Sequence, residues 1–149
     1  MKIEEAIQQS TPFKNEFQKA TVNLLYTYGW LTDKLKSFFS EFDITLKQYN
    51  ILRILNGAGK PVSTSYLRER LLDRMSDTSR IVDRMCSKGY VIKNLCKNDR
   101  RLIDISLTEK GISLLNEIKT REGEMDTMFR HISEKEAEIL NDILDKMRD

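Results

Sequence analysis

Residues 76–107 read SDTSRIVDRMCSKGYVIKNLCKNDRRLIDISL. The first part, Ser76 to Lys88, has the pattern of a short amphipathic helix. On a helical projection Thr78, Ile81, Val82 and Met85 share one face, while Ser76, Arg80, Asp83, Arg84 and Ser87 point the opposite way. Gly89 ends that helix. Tyr90 to Leu95 then begins a strand, and its return strand, Leu102 to Leu107, puts Ile103, Ile105 and Leu107 on one face and Asp104 and Ser106 on the other. The two strands enclose Lys97-Asn98-Asp99-Arg100-Arg101, a basic hairpin tip with the form of a wing.

Reading backwards, Asp73 and Arg74 connect this helix to an earlier short one. Ser63 caps it, Leu67, Leu71 and Leu72 are expected to face inward, and Arg68, Glu69 and Arg70 outward. Two short helices joined by a tight turn, the second exposing small polar and basic side chains, make a helix-turn-helix. Ser76, Asp77, Ser79 and Arg80 lie in the first half of the second helix, where base edges are normally met. Arg84 and Lys88 are placed for phosphates.

Charge is distributed accordingly. From Lys60 to Arg101 there are eleven basic and five acidic residues, a net +6, whereas the whole chain carries +2 and the remainder therefore −4. A basic centre between acidic arms suits a nucleic-acid surface on a scaffold that avoids phosphates. Solvated helix faces are the alternative account of the same charges.

The arms are helical. Phe17, Ala20, Leu24, Tyr28, Leu31, Leu35, Phe38 and Phe42 recur at spacings of three or four, predicting a helix from Lys14 to Phe42 after the Thr11-Pro12 entry signal. Such a helix is roughly 40 Å long, against a radius of gyration near 15 Å for a chain of this size. Its exposed length calls for a second copy of the chain. Asp43-Ile44-Thr45 breaks it, and Thr45 with Gln48 forms a capping box for a helix carrying Leu46, Tyr49, Leu52, Ile54 and Leu55. Beyond the hairpin, Thr108 starts a helix with Ile112, Leu115, Ile118, Met125 and Phe129 as apolar contacts. Ser133 and Glu136 form a second capping box, opening a last helix with Ala137, Leu140, Ile143, Leu144 and Met147.

With 149 residues, 40% of them hydrophobic, the chain builds one core and is too short for two ordinary domains. The expected fold is mainly α with a small β-hairpin: a single domain over 1–149, with a winged helix-turn-helix lobe at 45–107 and dimerisation helices at 12–42 and 108–149. No apolar run of about 18 residues occurs, and Met1 to Ser10 lack the apolar core of a signal peptide, so a cytoplasmic location is expected.

Specific residues carry a family likeness. Thr45-Leu46-Lys47-Gln48 opens one helix, Ile81 to Val91 ends the next in Val-Asp-Arg-x-x-x-Lys-Gly, and Asp99-Arg100-Arg101 is followed by Ser106-Leu107-Thr108-Glu109-Lys110-Gly111. Over essentially its whole length the chain resembles the MarR family of bacterial winged-helix transcriptional regulators. The resemblance implies a homodimer, held by the first and last two helices, that places both reading helices in successive major grooves of double-stranded DNA. It also implies that Arg101 enters the adjacent minor groove, oriented by Asp99. A narrow minor groove concentrates negative potential and favours an inserted guanidinium. Arg100 occupies the variable position and is expected on a phosphate. Asp77 departs from the family's small hydroxyl residue; it either accepts from a cytosine amino group or pairs with Arg80 on its own helix.

Members of the family commonly release DNA when a small aromatic or phenolic ligand enters a cleft between the dimer helices and the DNA-binding lobe. Tyr26, Trp30 and Tyr49 are candidates for lining it, with core packing as the competing role. Cys86 and Cys96, near basic residues, are candidates for a thiol-based redox switch, with half-buried small hydrophobes as the competing role. Two cysteines and the single His131 do not make a usual structural zinc site, and no cofactor is expected. No nucleophile motif, phosphate loop or metal-ligand spacing supports an enzyme. The expected function is a DNA-binding repressor of pseudo-palindromic operators; a winged-helix dimer used only for protein contacts is the rival.

Overall fold

The computed structural model describes residues 1–73, 75–95 and 103–149. The wing tip, with Cys96, Lys97, Asp99, Arg100 and Arg101, lies outside the described residues, as does Arg74. In chain order the elements are α1 (Ile3–Ala6), α2 (Glu16–Ser40), α3 (Leu46–Ala58), β1 (Val62–Ser63), α4 (Thr64–Arg70), α5 (Thr78–Ser87), β2 (Val91–Leu95), β3 (Ile103–Leu107), α6 (Glu109–Thr120), α7 (Gly123–Asp126), a 3₁₀ turn (Thr127–Phe129) and α8 (Glu134–Lys146).

The long helix is present and slightly shorter than its periodicity predicts. Asn15 caps its start by accepting from the Gln18 amide at 2.9 Å. Its end is set by Asp43, whose left-handed φ of 54° turns the chain into α3. Asp is among the few residues other than glycine that tolerate that conformation. Of the 25 residues of α2 only Phe38 and Phe39 are buried. The rings of Phe38, Phe39 and Tyr49 pack in series, the first pair edge-to-face and the second tilted, with centroids 5.1 and 4.5 Å apart, fixing the C-terminal end of α2 on α3.

The core of the lobe is built from one face of each short element. Ile51 and Leu52 of α3, Leu67 of α4, Val82 and Met85 of α5, Val91 of β2, Ile105 of β3 and Ile118 of α6 are essentially inaccessible to solvent. Each contributes about 1.5–3 kcal/mol by leaving water. The capping boxes at Thr45 and Ser133 form as their sequences predict.

Four local features differ from the expectations. The sheet has three antiparallel strands in the order β1-β3-β2, because Val62–Ser63 pairs with Ile105 and Asp104; two residues are too short to leave a periodic signal. Leu72 is 82% exposed, not inward. Helix α4 stops at Arg70 and Leu71 is extended, so successive side chains alternate sides and only Leu71 is buried. The helix after Thr108 stops at Thr120, and both Ile112 and Phe129 remain exposed. Finally, α5 begins at Thr78 rather than Ser76, with Asp77 as its cap.

The Leu107-Thr108-x-x-Gly111 motif has a mechanical explanation. The Thr108 hydroxyl accepts from the Gly111 amide at 3.1 Å, starting α6, and donates to the Gly89 carbonyl at 2.6 Å. A Cβ at residue 111 would lie 2.3 Å from the Tyr90 carbonyl oxygen, so only glycine fits. The motif therefore clasps the C-terminal end of α5 to the start of α6.

Candidate nucleic-acid interface

Helix α5 has two faces. Thr78, Val82 and Met85 are buried, whereas Asp77, Ser79, Arg80, Asp83, Arg84 and Ser87 are exposed. The exposed side of a helix carried on a compact lobe is a rigid row of small polar and basic groups.

Asp77 is occupied within its own helix. One carboxylate oxygen accepts from the Arg80 amide at 3.2 Å, and the other lies 3.6 Å from Arg80 Nε. The pairing of Asp77 with Arg80 is thus the arrangement present in the free chain. It also decides where the helix starts, since a carboxylate at the cap satisfies an orphan amide and favours the positive end of the dipole. Ser76 is consequently in the turn before the helix, with its hydroxyl enclosed. The expectation that Ser76 shares the outward face is corrected: capping by Asp77 turns it inward.

Both ends of α5 are tied to the frame. At the N-terminal side, Lys47 at the start of α3 pairs with Asp73 in the turn at 2.7 Å. The Asp73 carboxyl also accepts from the Met75 amide at 3.0 Å, and the Lys47 ammonium holds it below the usual carboxylate range. At the C-terminal side, the Lys88 ammonium donates to the Asp43 backbone carbonyl and lies 3.0 Å from its Oδ2. Lys93 of β2 pairs with Asp83. Of the two candidate phosphate contacts at α5, Arg84 has no ion pair among the described residues, whereas Lys88 is engaged.

A groove of about 730 Å³ separates α2 from α5, lined by Tyr28, Thr32, Asp33 and Lys36 of α2, residues 44–48, and Asp77, Arg80, Ile81 and Arg84. A second hollow of about 510 Å³ shares Ser40, Ile44, Thr45, Gln48 and Arg84 with it and adds Asp43, Ser87 and Lys88. Tyr26, Trp30 and Tyr49 do not line the groove. Tyr28, Thr32, Lys36 and Ser40 recur every four residues along one face of α2, and Tyr26 and Trp30, two residues off, point about 200° away. Tyr49 is buried against Phe39, its hydroxyl 3.2 Å from a Glu122 carboxylate oxygen and 3.1 Å from Arg53 Nη1. Four-residue spacing on α2, rather than aromatic identity, marks the side chains that share the groove face with Tyr28.

Cys86 is half-buried beside the core, and burial pushes its thiol above the ordinary range, opposed by Lys93. A raised pKa lowers the thiolate fraction and so disfavours reaction with oxidants. His131 is exposed and bonded to Arg130 beside it. Among the described residues no helix is long and apolar enough to cross a membrane.

Residues 42–102, from the end of α2 through the wing, match the MarR family model. The matched stretch is the winged helix-turn-helix lobe. The chain is 25% identical over 131 residues to the HTH-type transcriptional regulator MhqR of Bacillus subtilis, covering 87% of this chain and 89% of that protein. Two solved structures share the fold. The organohalide-sensing transcriptional regulator RdhR in its 2,4-dichlorophenol-bound form superposes with a TM-score of 0.83 at 20% identity, covering 94% of this chain and 86% of that one. A cysteine-to-serine mutant of MarR from E. coli, complexed with operator DNA, superposes with 0.81 at 22% identity, covering 92% and 99%. The MarR-family relatives are transcriptional regulators rather than enzymes.

Proposed function

We propose that the chain is a transcriptional repressor that binds duplex DNA as a homodimer in the cytoplasm and is released by a small aromatic ligand. The observation that carries this reading is the exposed face of α5: Ser79 and Arg80 toward base edges, Arg84 toward a phosphate, on a lobe that matches the MarR family model. Lys97, Asp99, Arg100 and Arg101 complete it as the wing, with Arg101 in the minor groove.

The dimer is supported by what the chain leaves uncovered. Helix α8 buries none of its side chains, and Leu140, Ile143 and Met147 are 40%, 53% and 61% exposed. Phe17, Leu25 and Trp30 of α2 are exposed as well. Exposed apolar side chains on two helices of the same chain are what a symmetric interface buries. Two copies would present their α5 helices to half-sites roughly 34–36 Å apart, one helical turn of DNA. The ligand reading is supported by the groove itself: Tyr28 offers an aromatic wall, and Arg80 and Arg84 line it from the DNA-reading side. RdhR binding 2,4-dichlorophenol suggests the ligand class.

Affinity for duplex DNA measured across a salt series tests the reading. Binding should fall steeply as salt rises, because bound phosphates release counterions. Arg101→Ala should abolish specific binding and leave the oligomeric state unchanged. Absence of binding at low salt would leave a protein-interaction module instead.

A further inference from the structure

The two polar ties at the C-terminal end of α5 run to both arms of the molecule. On one side Thr108 donates to the Gly89 carbonyl, and the Lys110 ammonium donates to the Lys88 carbonyl at 2.7 Å. Both come from the start of α6. On the other side the Lys88 side chain reaches the corner after α2, where Asp43 sits with its φ of 54°. The hollow that Lys88 and Asp43 share continues the groove separating α5 from α2. Lys88 and Asp43 therefore bridge the end of a gap that is otherwise open.

The chemistry of the tie favours its formation. The Asp43 carbonyl lies three residues past the end of α2, and the Lys88 ammonium satisfies that acceptor while pairing with the carboxylate of the same residue. The Lys88 side chain is only 33% exposed, while that of Asp43 is 90% exposed. The lysine is thus folded over the corner rather than extended toward solvent. An ammonium committed to a carbonyl and a carboxylate in this way is poorly disposed to neutralise a DNA phosphate.

We propose that Lys88 is a positioning residue, acting through Asp43 to fix the tilt of the reading helix relative to α2, and is not a phosphate contact. The inference rests on the DNA-binding reading above. It has a signature of sign. If Lys88 contacts phosphate and Asp43 is a bystander, removing the Asp43 charge beside the DNA-facing surface leaves binding unchanged or tightens it. If Asp43 holds Lys88, removing that charge weakens specific binding.

The experiment uses the full chain and the best duplex that the wild type selects from a random-sequence library, with a mixed-sequence duplex of equal length as reference. Lys88→Gln and Asp43→Asn should each weaken binding to the selected duplex about fivefold, as expected for a surface pair present once in each protomer. The double variant should be no weaker than either single one. Lys88→Arg should restore binding, and affinity for the mixed-sequence duplex should not change. The slope of log affinity against log salt should stay at the wild-type value in Lys88→Gln. It should flatten in Arg84→Gln by about 1.8, about 0.9 for each lost contact in the dimer. Asn tolerates the left-handed conformation at residue 43, and thermal melting of each variant checks that the lobe remains folded. A flattened slope in Lys88→Gln together with unchanged or tighter binding in Asp43→Asn overturns the inference and leaves the DNA-binding reading standing. Failure of the wild type to select or bind any duplex overturns that reading instead.

Discussion

Helices α5 and α8 are both short and amphipathic, with apolar residues at spacings of three and four. Their fates differ. Helix α5 sets Val82 and Met85 into the core of its own lobe, whereas α8 sets nothing there; its Ile143 is 53% exposed and the Val82 side chain is inaccessible. One helix is finished by its own chain and offers a polar face. The other offers an apolar face and is unfinished. The same sequence pattern thus serves, in the proposed dimer, both a DNA-facing element and a protein-facing one. What separates them is whether neighbouring segments of the chain bring a complementary surface.

The difference is sharpest under substitution. Ile143→Asp introduces a charge that is harmless on an isolated chain and severely unfavourable inside a symmetric interface, where it occurs twice. The dimer dissociation constant, measured by sedimentation, should rise about a hundredfold or more, with loss of specific DNA binding and with the lobe still folded. An unchanged dimer would show that α8 is not at the interface. Met85→Ala is the counterpart on α5. Emptying a fully buried methionine site should cost about 2–5 kcal/mol of folding stability in a denaturant titration. At conditions where the lobe stays folded, the dimer dissociation constant should be unaffected.

A smaller effect is expected on the polar side of α5. Arg80 shares Asp77 with the helix cap, so Arg80→Gln removes a candidate base contact while the cap remains. Loss should fall mainly on sequence preference, about 1–3 kcal/mol of discrimination at the base pair it reads, with little change in salt slope. Equal loss on every duplex would reduce Arg80 to a phosphate contact.

These contrasts also show what the sequence makes legible. Where a neighbour is close in the chain, the reading is sound. Thr45 with Gln48 and Ser133 with Glu136 are three apart and form the predicted boxes, and Asp77 with Arg80, also three apart, forms the helix pair that is one of its two readings. The helix-turn-helix and the strands flanking the wing follow from the same local periodicity. Where the decisive partner is distant, it is not. Lys88 looks like any basic residue at a helix end until folding brings Asp43, 45 residues away, beneath it. Gly111 looks like a mild helix breaker until the Tyr90 carbonyl is seen to occupy the space of its missing side chain. The groove belongs to this class: which face of α2 lines it depends on where α5 docks, and that is settled by the core.

The smallest expected effect concerns the start of α8, where local and dimeric stability meet. Ser133 accepts from the Glu136 amide, and the Glu136 carboxylate accepts from the Ser133 amide at 2.7 Å. These bonds hold the Glu136 carboxyl below the ordinary glutamate range, with the Ser133 amide as the main cause. A carboxyl lowered in the folded state stabilises it above the ordinary glutamate range, and the contribution is lost as pH falls through the folded value. Ser133→Ala removes one half of the box and should cost about 1 kcal/mol of helix stability. Because α8 has no core of its own to hold it, the loss should appear as weaker dimerisation rather than as a lower melting temperature of the lobe. Ser133→Ala keeps the backbone amide that lowers the Glu136 carboxyl, so the pH test uses Glu136→Gln. Dimer affinity measured near neutral pH and again in acid should converge for wild type and Glu136→Gln as Glu136 protonates. A gap that stays constant into acid would show that the box is not coupled to the interface, and that α8 is ordered by something other than its own cap and its partner.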